Sequence, residues 1–211
     1  MLNIYIILGV LTAYFLGSIP SAVWIGKIFY NTDVREKGSH NAGATNVIRV
    51  LGLKAGIPVL LLDCFKGWLA VKLAVFFGQS LSPDFLLLLQ IVMGAAAVIG
   101  HLFPVLAGFR GGKGIATLLG IGIALYPLSV LFVLAIFIIV FLVSGYVSLA
   151  SIIAAICFPL LVIFVDTVAY ELPLQILSVA VGIFVPVTHH KNIVRLVKGE
   201  ESRFHLRKKR Q

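Results

Sequence analysis

A short polar segment between apolar stretches combines glycine with side chains that bind anions. Its sequence is Gly38-Ser39-His40-Asn41-Ala42-Gly43-Ala44-Thr45-Asn46, and Arg49 follows within one helical turn. Glycines permit backbone angles at which successive N–H groups point toward one anion. The residues favour a phosphate-binding loop and, equally, an interfacial turn in which the same side chains cap the backbone.

A second glycine-rich segment, Gly111-Gly112-Lys113-Gly114, opens an apolar stretch of helical length. The N–H groups and positive dipole end of that helix would lie beside a lysine, which favours phosphate binding. The segment is not a nucleotide-binding P-loop, because Ala107 stands five places before Gly112 and Gly114 replaces the magnesium-binding Ser or Thr. A basic stop for the preceding helix would explain Lys113 but not three glycines.

Further polar residues lie toward the C-terminus, at the ends of apolar stretches. They are Ser148, Ser151, His189, His190, Asn192 and Arg195. Helical offsets bring His189, Asn192 and Arg195 to one face of a helix. Ser148 is predicted to cap its helix, and a histidine at such a position, taken alone, is typical of a polar anchor at the interface.

Asp63 and Lys66 stand three residues apart inside an apolar stretch, so they can neutralise each other on one helical face. We interpret them as a structural ion pair that ties this helix to the active-site loop. Cys64 and Cys157 lie in separate apolar stretches, which disfavours a disulfide or a zinc site.

Several familiar chemistries lack their residues. The sequence has no G-x-S-x-G elbow of a serine hydrolase, and no histidine is followed five places later by aspartate, as in the soluble type of glycerolipid acyltransferase. Only eight Asp and Glu are present, and they form no cluster for a divalent metal. We therefore expect no metal and no cofactor, but a site that holds anions with backbone N–H groups, lysine and arginine.

The composition requires a membrane around these segments. Of 211 residues, 60% are hydrophobic and 12% are charged, which excludes a soluble globular enzyme and a disordered chain. Seven apolar stretches predict an all-α integral membrane protein with seven transmembrane helices: Leu2–Ile25, Gly56–Phe77, Phe85–Leu106, Ile115–Tyr126, Leu128–Val143, Leu149–Val165 and Leu174–Thr188. The net charge of +9 lies between and after these stretches, so we expect no nucleic-acid partner.

The basic residues orient the helices, because short loops rich in Lys and Arg stay on the cytoplasmic side. The loop of Arg110 and Lys113 and the basic tail after Lys191 must then share one side, which requires an even number of crossings between them. Ending one helix at Pro127 and starting another supplies that number. We predict an external N-terminus, a cytoplasmic C-terminus and one membrane-embedded domain, residues 1–211, with its polar segments at the cytoplasmic face.

Five motifs follow one another along nearly the whole chain. They are G-S-x-N-x-G-A-T-N-x-x-R from Gly38, D-x-x-K-G from Asp63, G-H-x-x-P from Gly100 with G-G-K-G-x-A-T from Gly111, Y-V-S-L-A-S from Tyr146, and H-x-x-N-I-x-R-L-x-x-G-x-E from His189. In order and spacing the sequence resembles the bacterial acyl-phosphate:glycerol-3-phosphate acyltransferases. Each motif alone is weak, and together they are specific.

The resemblance implies an enzyme of the bacterial plasma membrane whose active site faces the cytoplasm. It would move a fatty acyl group from acyl phosphate to the 1-hydroxyl of glycerol 3-phosphate, giving lysophosphatidic acid and phosphate, the first step of phospholipid synthesis. Its partners would be these two substrates, membrane lipid and an upstream enzyme that makes acyl phosphate. Neither acyl-CoA nor acyl carrier protein would be the direct donor.

The resemblance also implies residue roles. The segment from Gly38 to Asn46 would hold the donor phosphate, with Ser39 and Asn41 as side-chain contacts. Arg49 and Lys113 would hold glycerol 3-phosphate, and the expected catalytic residues Ser151, His189 and Asn192 would complete the pocket with Glu201.

The base that takes the proton of the attacking hydroxyl is His189 or the donor's own phosphate, and the resemblance favours the phosphate. His40 departs from the glycine usual in the family. We expect a left-handed backbone angle there, with a small distortion or an added ligand contact.

Two other classes of function fit part of the sequence. A transporter for a phosphorylated metabolite would also use short helices with glycine-rich ends, but the polar motifs here are predicted on one membrane face and no repeat is visible. A lipid-binding scaffold would explain the basic tail but not the glycine-rich segments or the residues around His189.

Overall fold

The computed structural model describes residues 4–166 and 171–204, and these form ten α-helices and no β-strand. The helices are α1 (Ile4–Gly17), α2 (Ser21–Tyr30), α3 (Ala44–Leu51), α4 (Leu53–Phe77), α5 (Pro83–Leu102), α6 (Ile115–Leu125), α7 (Pro127–Ser144), α8 (Val147–Val165), α9 (Leu172–Thr188) and α10 (His190–Val197). Contacts between helices divide the chain into two units, one ending at Leu125 and one beginning at Tyr126. Leu2 and the basic residues 207–210 lie outside the described residues.

Six of the seven predicted apolar helices are present, with ends within a few residues of the predicted ones. The predicted break at Pro127 is confirmed, because α6 ends at Leu125 and α7 begins at the proline. Proline suits the first position of a helix, where an N–H group would have no helical partner. The helical spacing expected after His189 is present as α10.

The first predicted helix, Leu2–Ile25, is wrong as a single element. The chain breaks after Gly17, and α2 restarts at Ser21 with a bend of 40° between the two helices. Pro20 causes the break, because it lacks an N–H group and disfavours helical angles at Ile19. The Ile19 carbonyl then accepts a hydrogen bond from Lys66 Nζ at 3.0 Å.

Among the described residues, three helical segments are long and apolar enough to cross a membrane: Pro83–Ala107, which is α5 with its following turn, α7 and α8. The bent pairs α1 with α2 and α9 with α10 raise the number to five if each pair is one span. The shorter α6 is also apolar. The longer α4 carries charged residues along its length.

In the first unit, α4 is the central helix and contacts α1, α2, α3, α5 and α6. Small residues let α4 and α6 approach closely. Gly67 of α4 faces the Thr117 carbonyl of α6, and Gly120 of α6 faces the Cys64 carbonyl of α4. A β-carbon at either glycine would overlap these backbone atoms, and packing through small residues is typical of membrane helices.

The predicted ion pair inside α4 is present. Lys66 Nζ lies 2.8 Å from Asp63 Oδ1, and both side chains are buried. Ser21 Oγ donates to the same carboxylate oxygen at 2.6 Å, and His101 Nδ1 lies 3.6 Å from it. The pair therefore joins α4 to the break before α2 and to the end of α5.

In the second unit, α8 packs against α7 and α9, and α10 contacts α8 and α9. The Tyr126 hydroxyl donates to the Leu174 carbonyl at 2.7 Å, and its ring meets the Phe158 ring edge to face. Asp166, at the end of α8, accepts from the Ser129 N–H at 3.1 Å. A carboxylate at this position caps the first turn of α7 and complements its dipole.

We predict that Gly120→Ala lowers the thermal unfolding midpoint of the detergent-purified protein by several degrees. The added β-carbon would meet backbone atoms of Cys64 and Trp68, which cannot move aside as a side chain does. Overpacking of this kind costs about 1–3 kcal/mol.

The matched control is Gly94→Ala on α5, where the nearest atoms are side-chain carbons at 3.4–3.5 Å. In this variant the thermal unfolding midpoint should be unchanged or higher, because alanine has a higher helix propensity than glycine. Equal effects of the two substitutions would contradict the close α4–α6 contact.

Candidate functional site

Two loops of the first unit carry the polar segments recognised in the sequence. The first loop, residues 31–43, joins α2 to α3, and the second loop, residues 103–114, joins α5 to α6. They meet at Gly112, where a β-carbon would lie 3.1 Å from the Ala42 carbonyl oxygen and would overlap the His101 ring. The structure thus brings together the two segments that the sequence predicts to bind phosphate.

Asn46, in the first turn of α3, organises the first loop. Its Oδ1 accepts from the Ser39 N–H at 2.8 Å, and its Nδ2 lies 2.8–3.1 Å from the carbonyl oxygens of Val34, Lys37 and Asn41. The side chain is only 2% exposed. Asn46 was predicted as a substrate contact, and here its amide satisfies the backbone of the loop.

The first loop contains three residues in the left-handed region, Asn31 at φ 46°, Gly38 at φ 63° and His40 at φ 59°. The left-handed angle expected at His40 is therefore present. The His40 Nδ1 lies 3.1 Å from the Arg35 carbonyl oxygen. Because a carbonyl only accepts, this nitrogen carries the hydrogen and the ring is held against the loop's own backbone.

The remaining predicted residues of this segment lie at the loop surface and at the start of α3. Ser39 is exposed, and Asn41, Gly43, Ala44 and Thr45 are half-buried. Gly43 precedes α3 in an extended conformation, so Ala44 and Thr45 contribute the first N–H groups of that helix. Such groups attract an anion.

Arg49 is exposed near the end of α3, one to two turns beyond these groups. At that position its guanidinium can reach a ligand at the surface of the first unit, or solvent.

Asp33 and Arg35 form a contact that the sequence analysis missed. Asp33 Oδ1 accepts from Arg35 Nε at 3.0 Å, and Oδ2 accepts from Nη2 at 2.8 Å. The guanidinium also reaches the second loop, where Nη1 donates to the Ala107 carbonyl at 2.7 Å. The hydrogen bond from Arg35 holds the pKa of Asp33 well below its usual value, although burial acts in the opposite direction.

The second loop is held by backbone hydrogen bonds to the end of α5. The Gly111 N–H donates to the Leu102 carbonyl at 3.1 Å, and the Gly112 N–H donates to the His101 carbonyl at 3.2 Å. These two N–H groups are therefore bonded to carbonyls at the end of α5, contrary to the simplest expectation of an anion nest. The half-buried Lys113 follows directly and precedes the first turn of α6.

A small cavity lies beneath the second loop. It is lined by Ser21, Asp63, Lys66, His101, Gly111 and Gly112, among others. The cavity connects the buried ion pair of α4 to the loop that carries Lys113.

Glu201 is the centre of the polar group in the second unit. Its Oε1 accepts from Ser148 Oγ at 2.7 Å and from Asn192 Nδ2 at 2.6 Å, while its Oε2 pairs with Arg195 Nε at 2.7 Å. Ser148 was predicted to cap its helix, and that prediction is wrong because its hydroxyl donates to this carboxylate. Burial would raise the pKa of Glu201, but the bonds from Arg195, Asn192 and Ser148 together lower it.

His189 is buried at the junction of α9 and α10. Its Nδ1 lies 2.8 Å from the Val185 carbonyl oxygen, so Nδ1 carries the hydrogen. In the neutral ring, Nε2 is then the nitrogen with the lone pair. Ser151, also buried, donates from Oγ to the Val147 carbonyl at 2.9 Å and keeps its lone pairs for another donor.

The contact between Asp33 and Arg35 was hard to predict from the sequence, because both residues lie in a loop that looks simply basic. Glu201 and Arg195 were recognised, but their mutual contact was not. Within residues 4–166 and 171–204, no group of three or more His, Cys, Asp or Glu side chains has the arrangement of a metal site.

Comparison with known proteins gives one consistent result. The family model of glycerol-3-phosphate acyltransferase matches residues 7–199. A glycerol-3-phosphate acyltransferase from Listeria welshimeri is 46% identical over 200 residues, which cover 95% of this chain and 97% of that protein. One from Enterococcus faecalis is 44% identical over an alignment of 214 positions, which covers 97% of this chain and 95% of that protein.

Two crystal structures of PlsY, an integral membrane glycerol 3-phosphate acyltransferase, are also similar. The glycerol 3-phosphate form has a TM-score of 0.84 and 40% identity, covering 95% of this chain and 96% of that one. The lysophosphatidic acid form has a TM-score of 0.82 and 39% identity, and it also covers 95% of this chain and 96% of that one.

We predict that Glu201→Gln lowers the thermal unfolding midpoint at pH 7, by about 2–4 °C for each kcal/mol lost. The folded pKa of Glu201 lies below its ordinary value of 4.5. Its contribution to stability is therefore fully present above that value and is lost as pH falls through the folded pKa. The difference between wild type and variant should narrow below pH 4.5.

The control is Glu200→Gln, which changes an exposed neighbour. Its midpoint should follow that of the wild type at every pH. A difference between wild type and Glu201→Gln that stays constant from pH 7 to pH 4 would contradict the ionised, bonded Glu201.

Proposed function

The chain belongs to the glycerol-3-phosphate acyltransferase family, and on that premise we propose that it transfers a fatty acyl group from acyl phosphate to the 1-hydroxyl of glycerol 3-phosphate. The products are lysophosphatidic acid and inorganic phosphate. Because acyl phosphate is the proposed donor, the activity requires an upstream enzyme that makes acyl phosphate.

The similarity to the glycerol 3-phosphate form of PlsY carries this proposal, since 40% identity extends over 95% of the chain. The family model matches residues in both units, from 7 to 199. We therefore propose that residues 1–211 act as a single membrane-embedded acyltransferase domain.

The first loop and the start of α3 bind the phosphate of the acyl donor in this proposal. Ser39 and Asn41 contribute side-chain contacts, and Ala44 and Thr45 contribute N–H groups at the positive end of α3. Gly38 and Gly43 keep the backbone accessible to the ligand, because neither places a side chain over it. Asn46 acts by holding the loop in shape.

Arg49 and Lys113 bind glycerol 3-phosphate. Both are cationic, and a charge-assisted hydrogen bond to a phosphate oxygen is stronger than a neutral one. Two anionic substrates repel each other, so cations beside both are required for them to bind together. The apolar helices supply the surroundings for the acyl chain.

Ser151, His189 and Asn192 contact the hydroxyl and phosphate oxygens of glycerol 3-phosphate. His189 is suited to this role, because the bond from Nδ1 to Val185 directs the Nε2 lone pair away from that carbonyl. Glu201 completes the group by orienting Asn192, to which it is bonded.

Acyl phosphate is a mixed anhydride, so the acyl carbon is already activated and no enzyme nucleophile is needed. Catalysis then rests on orientation of the two substrates and on hydrogen bonds to the oxyanion that forms at that carbon. We propose that the donor phosphate takes the proton of the attacking hydroxyl and leaves as inorganic phosphate. His189 is the alternative base.

We propose a location in the bacterial plasma membrane with seven spans. In the described part of the chain, three helical segments and two bent pairs would make five spans if each pair crosses once, and α4 and α6 would make seven. The eleven residues of α6 extend only about 16 Å, so part of this crossing is made by non-helical backbone covered by protein. The N-terminus is external, and the two loops and the C-terminus are cytoplasmic.

The test is an assay of purified protein in lipid nanodiscs with palmitoyl phosphate and glycerol 3-phosphate. Lysophosphatidic acid and phosphate should appear in equal amounts, and palmitoyl-CoA should give no product. Product from palmitoyl-CoA alone would overturn the proposed donor. No product from either donor would overturn the proposed activity.

In the same assay, we predict that Lys113→Ala raises the KM for glycerol 3-phosphate by roughly tenfold, through loss of a charge-assisted contact. The KM for acyl phosphate should change little. The control is Lys54→Ala, an exposed lysine in the first turn of α4 that has no proposed ligand contact. An unchanged KM in Lys113→Ala would contradict the assignment.

The topology is tested in a protein in which Cys64 and Cys157 have been replaced by alanine. A single new cysteine is then introduced at one position at a time. Ser202→Cys should react with a membrane-impermeant maleimide only after the cells are opened, because we place it in the cytoplasm. Ser82→Cys, between α4 and α5, should react in intact cells. Both serines are exposed, so accessibility within the protein does not decide the result, and reversed labelling would contradict the orientation.

A further inference from the structure

Arg35 connects the two loops of the first unit. It belongs to the first loop, and its guanidinium Nη1 lies 2.7 Å from the Ala107 carbonyl oxygen and 3.5 Å from the Arg110 carbonyl oxygen of the second loop. Its side chain is only 15% exposed. This arginine therefore binds the protein's own backbone.

Asp33 fixes the direction of the guanidinium. Its two carboxylate oxygens accept from Nε and Nη2 of Arg35, which leaves Nη1 directed at the second loop. The low pKa of Asp33, caused first by this hydrogen bond, keeps the carboxylate ionised at neutral pH. Planar guanidinium groups suit this use, since one group can bind a carboxylate with two donors and still serve a carbonyl.

The parts of both loops on either side of this contact are themselves anchored. In the first loop, His40 donates to the Arg35 carbonyl, and Asn46 binds the carbonyls next to Arg35 and beyond it. In the second loop, the N–H groups of Ala107 and Phe109 donate to the Pro104 carbonyl. A displacement at Arg35 would therefore shift each loop as a body.

The loops also touch at a second place, where Gly112 lies against the Ala42 carbonyl. A β-carbon at Gly112 would lie only 3.1 Å from that oxygen, so this contact limits how near the loops come. Arg35 limits how far apart they lie. The two contacts together define the spacing between Ser39 and Asn41 on one side and Lys113 on the other.

We propose that Arg35, oriented by Asp33, is a positioning residue that sets the distance between the loop binding the acyl-phosphate donor and the loop whose lysine binds glycerol 3-phosphate. This inference rests on the proposed function. It adds that the two binding loops are joined by a mostly buried arginine that touches neither substrate. Its loss would leave each substrate bound but poorly placed for attack.

The test compares Arg35→Lys with wild type in nanodiscs. The positive charge remains, but the forked geometry is lost. We expect kcat to fall by roughly tenfold or more, because rates are sensitive to small misplacements of bound reactants. The KM for each substrate should change less than about threefold. This pattern differs from the rise in KM expected for Lys113→Ala.

Two measurements separate positioning from loss of folded protein. The stoichiometry of glycerol 3-phosphate binding, measured by calorimetry, should stay equal to that of the wild type. Amide hydrogen exchange in a peptide covering residues 104–112 should become faster in Arg35→Lys. Asp33→Asn should show the same pattern more weakly, because the guanidinium keeps its charge but loses its orientation.

The matched control is Lys27→Gln. Lys27 also pairs with Asp33, at 3.2 Å, but its side chain is 55% exposed and donates nothing to the second loop in the contacts described. Its kcat and exchange rates should match those of the wild type.

Unchanged exchange in residues 104–112 of Arg35→Lys would overturn the proposal, as would an unchanged kcat or a rise in one KM alone. Reduced binding stoichiometry with unchanged turnover per binding-competent molecule would also overturn it, because the role would then be folding. Failure of the proposed function has a different signature, in which the wild-type protein itself makes no lysophosphatidic acid.

Discussion

A buried ion pair in the central helix of the first unit constrains much of what surrounds it. Charges inside a membrane protein are costly unless they are paired and fully hydrogen-bonded. Asp63 and Lys66 are paired with each other, and neighbouring segments add contacts from the Ser21 hydroxyl, the Ile19 carbonyl and the His101 ring. A continuous helix through Pro20 would not present that carbonyl to the lysine. The break between α1 and α2, the close packing of α4 and the position of the second loop over His101 are parts of one arrangement.

The same requirement shapes the polar surface of this integral membrane acyltransferase. A loop rich in glycine loses more conformational entropy on folding than other loops, so its order depends on side chains that bind its backbone. Asn46 does this for the first loop. In the second unit, Glu201 joins Ser148 to Asn192 and Arg195. Polar residues in the motifs of the family therefore include residues that build the site as well as residues that can bind a ligand.

The sequence predicted helices well because long apolar runs leave few alternatives in a membrane. The break at Pro127 was predicted because the basic segments on either side of it require an even number of membrane crossings. The break at Pro20 was missed because no such charge argument applied within the apolar run Leu2–Ile25. The glycine segments could be recognised, but the hydrogen bonding of the Gly111 and Gly112 N–H groups could not, since it depends on carbonyls at the end of α5. Arg35 was missed because its contacts with Ala107 and Arg110 are more than seventy residues away.

Basic residues consequently have two uses in the first unit, and their surroundings distinguish them. Arg35 is mostly buried and its guanidinium donors are directed to a carboxylate and to backbone carbonyls. Arg49 is exposed, and Lys113 directly precedes a helix start. An enzyme that joins two anions needs cations near both, but a cation on a long side chain does not define a distance by itself. A mostly buried arginine held at two carboxylate oxygens does define one, and in our proposal the placement of the two substrates depends on that distance.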